Sequence, residues 1–113
     1  MTMSDLPEQL SPQEAYALTA MTLEQIFGDS DVAEGTPVTL DFDLLAGPEA
    51  RAADLTRALG MFGYQVSEGD GKVTASVSDV PLTLADIWTH EERITTIAVA
   101  RGYISDGWGF LEP

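Results

Sequence analysis

Val38-Thr39-Leu40-Asp41-Phe42-Asp43-Leu44 alternates apolar and polar residues without a break. A period of two over seven residues marks a strand with one buried face and one wet face. Val38, Leu40, Phe42 and Leu44 form its core side, and Thr39, Asp41 and Asp43 its solvent side. Carboxylates two residues apart on a strand stand about 7 Å from each other, and the sequence assigns these two no cation. They are candidates for a metal site, for a general acid and base pair, or for an acidic docking face. A metal needs further ligands and acid-base chemistry needs a pocket with separated pKa values, and neither is visible. A solvated acidic face is the plain reading.

Downstream of this strand the period changes. Gly47-Pro48-Glu49 predicts the opening of a helix whose apolar face is Ala52, Leu55, Leu59 and Phe62, with Gly63 as its stop. Tyr64 and Val66 begin a short strand, Glu68-Gly69-Asp70-Gly71 is turn chemistry, and Val73, Ala75 and Val77 alternate in the returning strand. Pro81 ends that hairpin. Thr83, with Asp86 three residues on, caps a helix over 84–100. Ile87, Ile94 and Ala98 centre its apolar face, with Leu84, Trp88 and Ile97 at the edges. Glu91 falls inside the same arc, and the expectation is a rim position with its head in water, a buried carboxylate of raised pKa being the alternative.

After Gly102 comes Tyr103-Ile104-Ser105-Asp106-Gly107-Trp108-Gly109-Phe110-Leu111, a last strand. Simple alternation puts Ile104, Asp106, Trp108 and Phe110 on one face. The flanking glycines allow a bulge or close packing, and the simpler role for Trp108 and Phe110 is to close the core from an edge. Upstream, Ser11-Pro12-Gln13-Glu14 combines an N-cap serine, proline at the first helical position and a capping-box glutamate. Tyr16, Ala20, Leu23 and Phe27 supply that helix's apolar face and Gly28 its stop. Asp29-Ser30-Asp31 lacks the later ligands of a calcium loop, so the stretch to Pro37 reads as a linker.

One helix followed by strand, helix, strand, strand, helix and strand defines an α+β chain. The expected architecture is a ferredoxin-like (βαββαβ) sandwich with a four-stranded antiparallel sheet and an extra N-terminal helix. The Val38 and Val73 strands should be central, the Trp108 strand at the edge beside Val38, and the helices on one face. All 113 residues form a single domain, with 1–36 as helix and linker and 37–112 as the core. The first helix packs its stripe on open sheet or in a homodimer.

Composition narrows the function classes. Hydrophobic residues make up 44% of the chain, which is globular composition. Nineteen Asp and Glu against five Lys and Arg give a formal charge of -14, which repels nucleic acid phosphate and anionic lipid and suits a basic protein partner or plain solubility. There is no cysteine, hence no disulfide, thiolate nucleophile or zinc-thiolate site. Met1–Glu8 lacks the basic and apolar regions of a signal peptide, so a cytoplasmic location is expected. His90 has no partner arrangement that suggests a triad, and Gly69-Asp70-Gly71 lies in a hairpin where a phosphate loop would open a helix. No cofactor, metal or catalysis is expected. A small metal-binding domain centred on Asp41, Asp43 and Glu91 is an alternative.

Asp106-Gly107-Trp108-Gly109, entered from a helix with Ile94, Ile97 and Ala98, resembles the signature of the RraB family, regulators of ribonuclease E activity. Leu59-Gly60-Met61-Phe62-Gly63-Tyr64-Gln65-Val66 is similar to that family's helix-to-strand passage, with Tyr64 at the signature tyrosine. The resemblance spans roughly Val38 to Phe110. Ser105 departs from the family's usual tyrosine, and Gln65 from its usual acid. The resemblance implies a ferredoxin-like, non-catalytic protein that binds ribonuclease E and lowers its cleavage of RNA. Asp41, Asp43 and Asp106 are the candidate partner-binding residues, and an immunity-like or nucleic-acid-mimicking inhibitor of another basic nuclease is the alternative.

Overall fold

The computed structural model describes residues 9–111, so the polar lead-in Met1–Glu8 lies outside it. The elements are α1 (Pro12–Asp29), β1 (Pro37–Ala46), α2 (Ala52–Met61), β2 (Gln65–Gly69), β3 (Lys72–Pro81), α3 (Leu84–Val99) and β4 (Tyr103–Leu111). The strands form one antiparallel sheet in the order β2-β3-β1-β4. The Val38 and Val73 strands are therefore central, and the Trp108 strand is an edge beside β1.

Alternation in β1 decides which sheet face is buried. Val38, Leu40, Phe42 and Leu44 are each 3% exposed or less and join Leu55 and Leu59 of α2 with Ile87, Ile94 and Ala98 of α3 in one core. Thr39, Asp41 and Asp43 line the other face. The helix starts expected from capping chemistry are present at α1 and α3. Ser11 Oγ accepts the Glu14 N–H while Glu14 Oε1 accepts the Ser11 N–H, and Thr83 Oγ1 accepts the Asp86 N–H. Asp70 and Gly71, with φ of 49° and 78°, make the two-residue turn of the β2–β3 hairpin.

Several boundaries and faces differ from the sequence reading. Gly47-Pro48-Glu49 forms a turn, closed by the Ala50 N–H on the Gly47 carbonyl, and α2 begins only at Ala52. The backbone of this stretch is tied elsewhere: Gly47 N–H donates to the Gly102 carbonyl and Arg51 N–H to the Arg101 carbonyl. Phe62 falls past the end of α2 and is 57% exposed, with the Arg93 guanidinium 5.3 Å from its ring centroid. Helix α1 passes Gly28 by one residue and ends at the Ser30 cap.

Two bulges re-aim side chains. On β3 the register with β1 shifts between Val38↔Val80 and Leu40↔Val77, leaving Ser78 and Asp79 opposite Thr39, with Asp79 at φ 60°. Val77 and Val80 thereby share the core side. On β4, Phe42 pairs with Trp108 but Leu44 pairs with Ser105, so Asp106 and Gly107 together oppose Asp43. Gly107 takes φ 108°, which a side chain resists. The bulge corrects the simple alternation: Tyr103 and Ser105 lie on the same face as Trp108 and Phe110, towards the helices.

Helix α1 lies on the helix side of the sheet, where Thr19 reaches Trp108 of the β4 edge. It lies against α3, where Tyr16 meets Trp88 edge-on at 5.2 Å and Thr19 meets Glu91, contacts that advance together and make the two helices parallel. Only Thr19 and Leu23 of α1 are buried, and Tyr16, assigned to its apolar face, is 43% exposed.

Candidate interaction surfaces

The sheet face that none of the described elements covers carries hydroxyls and carboxylates from neighbouring strands. Asp41 accepts from Ser76 Oγ at 2.5 Å and Asp43 from Thr74 Oγ1 at 3.0 Å, both from β3. Lys72 Nζ stands 3.7 Å from Asp43 Oδ2, an exposed pair that supplies the cation absent from the sequence reading and holds little free energy. These bonds orient the carboxylates without neutralising Asp41. Asp106, the third candidate, is exposed on the β4 bulge and lines the cleft on the helix side, so it is not joined to the Asp41 and Asp43 face. Among the described residues no three His, Asp or Glu side chains gather as metal ligands.

A second site lies on the helix side. A cleft of about 380 Å³ opens between α1, α3 and β4, with Thr19, Glu91 and Trp108 in its wall. Glu91 is 9% exposed, which overturns the expected rim position. The reason is α1, whose packing on α3 covers a residue that would otherwise reach water. Trp108 Nε1–H donates to Thr19 Oγ1 at 3.1 Å, and the Thr19 hydroxyl donates to Glu91 Oε1 at 2.5 Å. Burial pushes the Glu91 carboxyl above its ordinary range, and the Thr19 bond opposes that shift in part. Trp108 is half-buried against the core, so it closes the edge and lines the cleft as well.

Tyr64 has a different setting. Tyr64 is buried, and its hydroxyl lies 2.8 Å from His90 Nδ1 and accepts from Arg93 Nη1 at 3.3 Å. Burial first, and Arg93 second, lower the His90 pKa, against a smaller opposing pull from Asp86. This cluster ties the β2 entry to α3.

The sequence reading missed Thr19. Its two partners lie 72 and 89 residues away, and no local pattern announces such contacts. Glu91 did carry a signal, a carboxylate placed inside an apolar helical arc. No protein-family model and no curated protein matches this chain.

Proposed function

We infer that this chain is a non-catalytic regulatory protein that binds a basic segment of a protein partner, a ribonuclease of the ribonuclease E kind being the first candidate. The observation that carries this reading is the uncovered, hydroxyl-oriented acidic sheet face around Asp41 and Asp43 on a chain of net charge -14. Charge placement supports it further: residues 1–50 contain ten Asp and Glu and no Lys or Arg. The element order βαββαβ and the strand order β2-β3-β1-β4 support a ferredoxin-like sandwich as the core. The Asp106-Gly107-Trp108-Gly109 stretch, seated on a bulge in the edge strand, supports the likeness to RraB-type regulators.

Binding of purified ribonuclease E, and of its basic scaffold segment alone, measured across a salt series tests this function. Attraction between an acidic face and a basic segment weakens as the screening length falls from about 10 Å at 0.1 M to about 3 Å at 1 M. Asp41→Asn with Asp43→Asn keeps acceptors for Ser76 and Thr74 while removing both charges. The double variant is expected to fold normally, bind at least several-fold more weakly, and leave more RNA cleavage active. Undiminished binding by that variant, or no binding at low salt, rejects the reading.

A further inference from the structure

We propose that the cleft between α1, α3 and the β4 bulge receives one lysine or arginine side chain of a protein partner, with the Glu91 carboxylate as its counter-charge. The proposal rests on the partner being basic, and it adds a specific seat to an otherwise diffuse acidic surface.

Glu91 is the one buried charged residue among those described, and no cation among them pairs with it. All five basic residues, Arg51, Arg57, Lys72, Arg93 and Arg101, are described, and none pairs with Glu91. Arg93, two positions along α3, turns instead to Tyr64 and Phe62. A carboxylate removed from water without a partner is costly and tends to hold its proton, so a cation brought in from outside gains what the fold leaves unsatisfied.

The geometry prepares one oxygen for that cation. Oε1 is taken by the Thr19 hydroxyl, itself fixed by Trp108 Nε1–H, while Oε2 has no hydrogen-bond partner among the described residues and Glu91 lines the cleft. The remaining walls suit a long basic side chain. Leu10, Leu18 and Trp108 offer apolar surface to its methylene stem, and Asp106 adds a second carboxylate. Leu18 and Met21 are more than half exposed on α1, giving the partner's neighbouring residues an apolar landing beside the cleft. The volume is within the range of pockets that enclose small organic groups.

The indole N–H resonance of Trp108 reports on this cleft directly. Capped Gly-Lys-Gly and Gly-Arg-Gly peptides are titrated at low salt, with the norleucine and Nε-acetyl-lysine peptides as uncharged controls. The expected result is a saturable shift with lysine or arginine, at least tenfold weaker with either control and with Glu91→Gln. Thr95→Arg places a guanidinium one helical turn from Glu91 and is expected to abolish peptide binding, so the proposal stays falsifiable even where Glu91→Gln disturbs the fold. Equal shifts from the norleucine peptide, retained binding by either variant, or no saturable shift would overturn it. Asp41→Asn with Asp43→Asn should leave peptide binding unchanged. A partner still bound through that face while the peptides fail therefore rejects the cleft alone.

Discussion

Glu91 shows how a single residue's energetics depend on what covers it. Its carboxyl is neutral more readily in the folded chain than in the unfolded one, so its folded pKa is the higher. Its contribution to stability is therefore fully present below the ordinary value of 4.5 and is lost as pH rises through the raised one. Glu91→Gln keeps an acceptor for Thr19 and has no charge to bury. The melting temperature of this variant is expected to gain on the parent as pH rises above 4.5, and a constant difference across that range would contradict the burial. Trp108→Phe removes the donor to Thr19 together with part of the indole's apolar contact, and should cost at least about 1 kcal/mol in thermal melts. Since Trp108 is half-buried, Trp108→Ala should cost less than the roughly 3 to 5 kcal/mol of a fully enclosed aromatic.

At the level of elements, what was legible in the sequence was what is locally determined. The Ser11 and Thr83 caps, the Asp70-Gly71 turn and the alternation of β1 each depend on residues within a few positions of one another, and the structure has all of them. The delayed start of α2 was not legible, because the Gly47–Arg51 backbone bonds to Arg101 and Gly102, about fifty residues away. The β4 face was misread for a related reason: a bulge depends on register with β1, and alternation in one strand is silent about the other. Gly102 marks the tightest junction. It holds φ 85°, and a Cβ there would sit 2.6 Å from the Glu49 carbonyl oxygen. Gly102→Ala should lose more than the roughly 1 to 2 kcal/mol of left-handed backbone strain alone, measured by denaturant unfolding.

Over the whole molecule the dominant fact is charge. A formal -14 on 113 residues repels itself, and the native state concentrates that repulsion relative to an expanded chain. Added sodium chloride, from about 0.02 M to about 0.5 M, is expected to raise the melting temperature by screening, the opposite of its effect on partner binding. A melting temperature that falls with salt would show that the few cations, such as Lys72 beside Asp43 and Arg101 beside Asp54, outweigh the repulsion. The acidic face was readable from Asp41 and Asp43 because strand alternation exposes them. The cleft was not, since it exists only where α1, α3 and β4 converge.

The bulge at Asp106-Gly107 has one more consequence, for how copies of this protein behave in a crowded solution. Strand β4 is nine residues long and forms an outer margin of the sheet, an invitation to stack strand upon strand with a neighbour. The kink interrupts that template midway, a carboxylate sits on it, and Gln9 Oε1 already occupies the Ser105 N–H from 2.8 Å. The opposite margin, β2, is only five residues long. The margins of the sheet are thus poor seeds for fibrous self-assembly, so the acidic surface can be displayed at high concentration without the chain polymerising through its own backbone.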